Sequence, residues 1–432
     1  EWVDANPTEF VGYDQLTHDA KVIGLVRGGE KVGEVVQGDE VEVILDVTPM
    51  YAESGGQMAD RGRLLMGDTI LNVNDVQRVG KKLWLHKATV QNGGLDLGST
   101  VTAEVDEAWR HGARQAHSAT HLIHAAIRQV LGPTAVQAGS LNKPGYLRFD
   151  FNYTDQLTDA QLEEIATITN QAVDADFAVN TIETSLDHAK EMGAMALFGE
   201  SYGDTVRVVE IGGPFSVELC GGTHVEHASQ IGPVAVLGES SVGSGARRIE
   251  AYSGMDSFKF LSKEAALASG LAAELKAPTE ELPDRIAQLT ERLRAAEKEI
   301  ANLHRQQLLA STANLVDEAQ AVGAHRVVAK QLPEGINTGD LRTIANDLRG
   351  KLQAEDAVIV LLSQVDGKVS LAAAATQQAV QSGVKAGDLV KLIEQYVDGK
   401  GGGKPDLAQG SGANPAGIGA ALQAVRDEVA SR

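Results

Sequence analysis

The pattern of apolar and polar positions divides the chain into stretches of different character. Up to about residue 110, short β-type runs alternate with glycine turns, which is typical of a small antiparallel barrel or sandwich. These runs are KVIGLVRGG, VEVILDVT, KKLWLHKATV and STVTAEVD. Between them, YAESGGQMADRG at 51–62 is too rich in glycine and polar residues for a strand. It predicts a surface loop.

The period then changes to that of a helix. Apolar residues follow helical spacing until Gly132-Pro133, where the helix should end; they are Ala119, Leu122, Ile123, Ala126, Ile127 and Val130. Further on, YLRFDF, TVRVVEI and PVAVLGES predict strands, and a second helix begins near Thr158. The mixture predicts an α+β domain that ends near residue 255.

A heptad pattern begins at Pro283, a residue that fits a first helical turn. Apolar residues spaced alternately by three and four are Ile286, Leu289, Leu293, Ala296, Ile300 and Leu303. About three heptads is the lower limit for a coiled coil. A single amphipathic helix packed on its own domain fits equally well.

In the last stretch, HRVVAKQL, DAVIVLLSQ and KVSLAAAAT alternate with helical segments and predict a small α/β domain. DGKGGGKPDLAQGSG, at 398–412, predicts a long glycine loop. We therefore expect an α+β protein in four parts. These are a β-barrel at 1–111, an α+β core at 112–256, a helical or coiled-coil linker at 257–312, and an α/β domain at 313–432.

Charge and cysteine content restrict the functions that fit this chain. A net charge of −21 over 432 residues argues against non-specific affinity for nucleic acids or membrane surfaces. No run approaches the roughly 20 apolar residues of a membrane span. The single cysteine cannot form an internal disulfide, so we expect a reducing cytoplasm.

That cysteine, Cys220, lies in the glycine turn SVELCGGTHVEHA, four residues before His224. His117 and His121 are spaced i, i+4 on the predicted helix, so both imidazoles project from one face. Each pair alone is weak evidence, and buried cysteine is common. Together the four side chains suit tetrahedral Zn²⁺, although four protein ligands also suit a purely structural ion.

Two other kinds of site are excluded because the sequence lacks a residue that each requires. Ser118 follows His117, where a zinc protease of the HExxH type needs a glutamate. Pro405 follows Lys404 in the glycine stretch, where a phosphate-binding loop needs serine or threonine.

Five blocks in order resemble the editing domain of alanyl-tRNA synthetases, which free-standing alanyl-tRNA editing proteins share. They are YAESGGQ, HSATHLIHAA, QAGSLNKPGYLRFDF, GAMALFGE and CGGTHV. The heptad stretch and GGGKPDLAQGSG resemble the C-terminal domain of the same synthetases, so the resemblance covers essentially the whole chain. From this resemblance we expect no counterpart of the class II catalytic domain or of the acceptor-stem-binding domain in it.

The resemblance implies hydrolysis of seryl- and glycyl-tRNA(Ala), mischarged products that a synthetic pocket for alanine rejects poorly. It implies zinc on His117, His121, Cys220 and His224. It also implies a pocket residue at Gln137 and a loop facing the active site at Gly55, Gly56 and Gln57. Thr120, beside His121, is a candidate partner for the serine hydroxyl. Each residue also has an ordinary alternative. Thr120 would be a helix threonine bonded to its own turn, Gln137 a solvated polar residue, and the stretch 55–57 a plain glycine turn.

Candidate tRNA contacts are Arg247 and Arg248 in SGARRIEAY, and Lys400 and Lys404 in the glycine stretch. The alternative for the two arginines is a solvated strand end, and the alternative for the two lysines is a flexible loop. The resemblance further implies tRNA contact by the last domain and, in some members, self-association. We thus expect a possible homodimer through the linker and C-terminal domain. Two other functions stay open: a non-catalytic tRNA-binding and oligomerisation module with structural zinc, and a free-standing long-form editing protein.

Overall fold

The computed structural model describes residues 7–80, 82–196 and 203–432. Its contacts form two compact units, the first up to Glu274 and the second from Leu275 to Arg432, which we describe separately. Of the block GAMALFGE, residues 197–200 lie outside the described residues. No helix in the described part of the chain is both long and apolar enough to cross a bilayer.

The first unit begins with a closed antiparallel barrel. The strands of this region are β1 (Glu9–Phe10), β2 (Thr17–Arg27), β3 (Glu30–Lys31), β4 (Glu34–Val36), β5 (Glu40–Leu45), β6 (Val47–Thr48), β7 (Gly62–Met66), β8 (Thr69–Val79), β9 (Leu83–Asn92), β10 (Gly94–Asp96) and β11 (Thr100–Val105). Of these, β1 and β6 form a separate parallel pair, and β4 and β10 a separate antiparallel pair. The order β11-β7-β8-β9-β5-β2 closes because β11 also pairs with β2. Alternate side chains fill the interior, among them Val22, Val43 and Leu71. The structure therefore has a barrel and not a sandwich.

The stretch 51–61, which we call the glycine-rich loop, has no strand, and only part of it lies at the surface, where Glu53, Gly55 and Arg61 are exposed. Gln57 and Asp60 within it are fully buried. Asp60 accepts hydrogen bonds from the buried guanidinium of Arg110. That guanidinium also donates to the carbonyls of Gly12 (2.5 Å) and Pro49 (2.7 Å). The prediction of a surface loop therefore holds only in part, because these buried polar groups find hydrogen-bond partners inside the protein.

The rest of the first unit is the predicted α+β core. Its elements are α1 (Glu107–Leu131), β12 (Gln137–Lys143), β13 (Tyr146–Asn152), α2 (Asp159–Asp174), β14 (Val179–Ser185), α3 (Leu186–Glu191), β15 (Thr205–Ile211), β16 (Ser216–Leu219), β17 (Val234–Gly243), β18 (Ala246–Ser253) and α4 (Gly254–Leu275). One sheet has the order β12-β13-β18-β17 and the other β14-β15-β16. Leu122 and Ile123 of α1 pack in one cluster with Phe149 and Ile249 of the larger sheet.

Both helix boundaries predicted in this core are confirmed. Helix α1 ends before Gly132, whose φ of 103° few other residues adopt. Helix α2 begins after Thr158, which forms a capping box with Gln161. The division of the chain into four domains stays a prediction.

In the second unit, the heptad stretch forms the single long helix α5 (Leu282–Ser311), with Pro283 in its first turn. Its apolar stripe is exposed: 47% at Ile286, 60% at Leu293, 66% at Ile300 and 56% at Leu303. The helix is confirmed, and the stripe does not pack into the core of its own unit. A coiled coil remains a prediction.

The remainder is the predicted α/β domain. Its elements are β19 (Gln320–Val322), β20 (His325–Gln331), α6 (Thr338–Lys351), β21 (Ala357–Val365), β22 (Lys368–Ala375), α7 (Gln377–Gln381), α8 (Ala386–Val397), β23 (Gly399–Gly403), β24 (Leu407–Gly412) and α9 (Ile418–Ala430). The sheet order is β19-β20-β21-β22-β24-β23. Strand β21 is apolar from Ala357 to Leu362 because both of its faces are covered. Val358 and Val360 pack with α8 and α9, while Ile359 and Leu361 pack with α6.

The predicted long glycine loop is instead the hairpin of β23 and β24, so that prediction is wrong. A Cβ on Gly401 would lie 2.5 Å from the Gln409 carbonyl oxygen and 2.7 Å from Val390 Cγ1 of α8. Real Cβ atoms essentially never approach this closely. The glycines therefore allow a strand to press against a helix, and their abundance does not indicate flexibility.

We expect Gly401→Ala to lower the free energy of unfolding of the second unit by about 2 kcal/mol, as overpacking does. Gly402→Ala is the matched control, since a Cβ there meets nothing within 4 Å. Urea denaturation of both variants measures the difference. Equal stability of the two would contradict this account of the hairpin.

Candidate metal centre and pocket

Two segments of the first unit bring four ligands together. His117 and His121 project from α1, while Cys220 and His224 lie in the turn after β16. Their ligand atoms all lie within 4.8 Å of one another. Nε2 of His117 and Nε2 of His224 lie 3.4 and 3.3 Å from Cys220 Sγ. The predicted grouping, hereafter the metal group, is confirmed, and its three imidazoles and one thiol suit tetrahedral Zn²⁺.

The turn that carries Cys220 is held against the helix by specific contacts. A Cβ at Gly222 would overlap the His117 ring, so only glycine allows this approach. Arg207 Nη1 donates to the carbonyls of Cys220 (2.9 Å) and Gly222 (2.8 Å). Tyr13 Oη donates to the Gly221 carbonyl at 2.6 Å. The glycines of the motif thus serve close packing, and the arginine fixes the backbone between the two ligands.

A buried acceptor orients the His117 ring. Gln57 Oε1 accepts from the backbone N–H of Thr223 at 2.8 Å, and Gln57 Nε2 donates to Thr223 Oγ1 at 2.8 Å. These two bonds identify the amide oxygen, which lies 2.8 Å from His117 Nδ1. His117 therefore carries its proton on Nδ1 and leaves Nε2 for an ion.

The other two imidazoles have different neighbours. His224 Nδ1 lies 3.0 Å from Ser118 Oγ. His121 Nδ1 has no hydrogen bond among the described residues, and it lies 3.7 Å from Glu218 Oε2. Glu218 in turn accepts from His124 Nδ1 at 2.9 Å. His124 is thus a partner of the carboxylate and not a fifth member of the metal group.

Burial sets the protonation of the site. Burial, and then the neighbouring imidazoles, lower the pKa values of His117 and His224 well below the ordinary value. Burial also lowers the pKa of His121. For Glu218, burial acts to raise the pKa, but the imidazoles of His121 and His124 outweigh it and hold the pKa at about 2. Neutral imidazoles beside a carboxylate are the form that binds a cation.

A pocket of about 390 Å³ opens onto the metal group. Of the predicted catalytic residues, Thr120, Gln137 and Gly55 line it. Gly56 is not in the lining; its α-carbon faces Ser140 so closely that a Cβ would overlap it. Gln57 is not in the lining either, because it is buried behind His117. The loop that carries these two residues borders the pocket through Gly55, and the roles of Gly56 and Gln57 in the reaction stay predictions.

Thr120 is both a helix threonine bonded to its own turn and a residue that lines the pocket. Its Oγ1 lies 2.9 Å from the Ala116 carbonyl, the ordinary bond to its own turn, and 2.5 Å from Asn142 Oδ1. One hydroxyl proton serves one of these acceptors, and both belong to the protein. The hydroxyl of Thr120 therefore has no proton left for a ligand and can act toward one only as an acceptor. Gln137 Nε2 donates to Ser140 Oγ at 3.1 Å.

The predicted tRNA contacts are not in this pocket. Arg247 and Arg248, on β18, are ion-paired with Glu239 (2.6 Å) and Asp150 (2.7 Å), so their charges are locally neutralised. Lys400 and Lys404 are exposed on the hairpin of the second unit. Sequence reasoning missed Glu218, Ser118 and Arg207, whose contacts join residues far apart in the chain.

Comparison with known proteins identifies the chain's relatives. A family model described as threonyl and alanyl tRNA synthetase second additional domain matches residues 206–250, which include the Cys220 turn. Models for class II (A) tRNA synthetases and for the DHHA1 domain match residues 2–109 and 324–431. Alanine–tRNA ligase from Corynebacterium glutamicum (strain R) is 65% identical over 99% of this chain and 48% of its own length. This chain matches the C-terminal half of alanine–tRNA ligases.

Other alanine–tRNA ligases agree. The ligase of Corynebacterium diphtheriae is 60% identical over 100% of this chain and 49% of its own length. The ligase of Mycobacterium avium is 54% identical over the same shares. The chain thus spans about half the length of the curated relatives it matches. Nothing in the strand pattern of residues 2–109 predicted the class II (A) match, which falls on the barrel.

One solved structure, the C-Ala domain from Aquifex aeolicus alanyl-tRNA synthetase, aligns with 26% of this chain and 97% of its own length. The sequence identity is 23% and the TM-score 0.24, which is too low to bear on the fold.

We expect Gln57→Leu to weaken Zn²⁺ binding by about 10- to 100-fold, because removal of an acceptor behind a metal-binding imidazole has this effect. Competition with a chromophoric chelator measures the affinity. Gln91→Leu, on an exposed strand end of the barrel, is the control. An unchanged affinity in Gln57→Leu would show that Gln57 only supports the fold.

Proposed function

We propose that this chain performs the editing reaction of its family, the hydrolysis of the ester in seryl- and glycyl-tRNA(Ala). The observation that carries the proposal is a single pocket lined both by members of the metal group and by Thr120. The match of residues 206–250 to the additional domain of threonyl and alanyl tRNA synthetases supports it.

The chemistry explains why a separate site is needed. Serine is alanine with a hydroxyl, and glycine is alanine without its methyl, so one apolar pocket rejects neither strongly. Serine is also larger than alanine, so an editing pocket cannot spare alanine by size. It has to recognise the serine hydroxyl. The Thr120 hydroxyl donates its own proton to a group of the protein. It is therefore suited to accept a hydrogen bond from the serine hydroxyl, a bond that the methyl group of alanine cannot donate.

We propose that the metal group holds Zn²⁺, through His117, His121, Cys220 and His224. A bound Zn²⁺ would supply a fixed positive charge that orients the substrate or a water beside it. The chain supplies the remaining parts: Gln57 and Ser118 orient two of the rings, and the loop at Gly55 forms one wall. In the reaction, water adds to the ester carbonyl and the ribose oxygen leaves, which yields the free amino acid and uncharged tRNA.

For the second unit we propose tRNA binding, with Lys400 and Lys404 on the hairpin as phosphate contacts. Arg247 and Arg248 of the first unit remain candidates, although a phosphate there has to compete with Glu239 and Asp150. A total charge of −21 implies that tRNA binds through such local contacts and not through a general field. We place the reaction in the reducing cytoplasm.

The direct test is incubation of the purified chain with seryl-, glycyl- and alanyl-tRNA(Ala), with and without a chelator. Hydrolysis of the first two that exceeds hydrolysis of the third supports the proposal. Binding of all three without hydrolysis would favour the non-catalytic tRNA-binding module instead.

Thr120→Val keeps the shape of the side chain and removes only the hydroxyl. We expect it to reduce the preference for seryl- over alanyl-tRNA roughly five-fold, since a buried hydrogen bond is worth about 1 kcal/mol. Single-turnover hydrolysis of both substrates measures the ratio. Thr169→Val is the matched control, because Thr169 is also buried and bonded one turn back, to Ile165, but lies on α2 outside the pocket. An unchanged ratio in Thr120→Val would move the recognition of serine to another residue.

The exposed stripe on α5 supports a homodimer through this helix. We expect Ile300→Asp, at a residue 66% exposed, to shift the chain toward the monomer. Sedimentation velocity across a concentration series measures this. Ala301→Asp, exposed but off the stripe, is the control. A monomeric wild-type chain would refute the dimer.

A further inference from the structure

Glu218 is a buried carboxylate that the proposed reaction has not yet used. It lies on β16, two residues before Cys220, and is only 7% exposed. Among the described residues that line the pocket, it is the one acidic side chain. A carboxylate is costly to bury unless donors or a cation compensate for it, so its surroundings indicate what it binds.

The two oxygens of Glu218 are engaged differently. Oε1 accepts from His124 Nδ1 at 2.9 Å and lies 3.5 Å from Ser216 Oγ. Oε2 has His121 Nδ1 at 3.7 Å, which is beyond hydrogen-bond distance. Within the described part of the chain, no lysine or arginine forms an ion pair with it. Oε2 therefore keeps acceptor capacity for a group that enters the pocket.

The charged residues of the pocket differ in burial. Glu218 lies in the buried wall beside the metal group, and the exposed Arg78 and the half-buried Arg207 line the same pocket. Arg207 donates to the carbonyls of Cys220 and Gly222, so the turn already engages it. An aminoacyl nucleotide carries an amino group next to the ester, and a buried carboxylate is complementary to that group.

We propose that Glu218 binds the α-amino group of the aminoacyl ester through Oε2; this rests on the proposed editing function. The group is common to serine and glycine, so one anchor serves both substrates. It is also present in alanine, so the anchor positions the ester without choosing between amino acids. Recognition of the side chain is left to Thr120, and the two residues have separable effects.

A purely supporting role for Glu218 makes a different prediction. If Glu218 only orients His121 Nδ1, its loss weakens the metal group and slows all substrates equally. If it binds the amino group, its loss slows only substrates that have one. A ratio of two rates within one preparation separates these cases, because any fraction of protein without metal cancels.

The test compares seryl-tRNA(Ala) with the same tRNA after nitrous acid has replaced the α-amino group by hydroxyl. Single-turnover rates are divided by the spontaneous rate of each ester. For the wild-type chain we expect a preference for the amine of at least roughly ten-fold, as for a hydrogen bond to a charged group. Glu218→Gln should bring the ratio close to one. Glu226→Gln, exposed and outside the pocket lining, should keep the wild-type ratio. Zinc content is measured on each sample.

A wild-type ratio near one overturns the proposal without any variant, so a Glu218→Gln chain that fails to fold does not block the test. A wild-type ratio retained in Glu218→Gln, with reduced zinc affinity, also overturns it and leaves Glu218 as a support for His121. A wild-type chain that hydrolyses neither ester refutes the proposed editing function itself, and this proposal with it.

Discussion

The side chain of Gln57 joins three parts of the first unit at one point. It lies in the glycine-rich loop after β6, its oxygen accepts from His117 of α1, and both ends of its amide bond to Thr223 in the turn of the metal group. Without it, a buried imidazole and a buried backbone N–H would lose their partner together. Unpaired buried polar groups cost about 1–3 kcal/mol each, so the positions of helix, loop and turn depend on this contact.

The hydrogen bonds of Gln57 require neighbouring segments of the chain to approach each other closely. Gly222 admits the His117 ring, and Gly56 admits Ser140 of β12, so two backbone segments lie where side chains would otherwise keep them apart. The burial that results keeps the imidazoles neutral, and it also isolates the carboxylate of Glu218 from bulk water. The close approaches at these glycines and the neutral state of the imidazoles are therefore linked through burial.

Features with a local cause were predictable from the sequence. The helical period and Gly132 gave the end of α1, Thr158 gave the start of α2, and the i, i+4 spacing placed His117 beside His121. Features set by distant contacts were not. Gln57 resembles any polar loop residue until Thr223, 166 positions away, is placed beside it. Likewise, the glycines of β23 resemble a flexible loop in the sequence, although Val390 packs against Gly401 in the structure. Amino-acid composition gives no information on which residues the backbone contacts.

Helix α1 belongs to both the barrel and the core of the first unit. Arg110 near its start is hydrogen-bonded to Asp60 of the glycine-rich loop. His117, a member of the metal group, follows seven residues later, which is about two turns along the same side of the helix. Removal of the barrel would therefore take away the carboxylate and carbonyl partners of Arg110 and the glutamine partner of His117. The two parts are not interchangeable modules. In a chimaera between relatives, a barrel has to be inherited together with the helix that follows it.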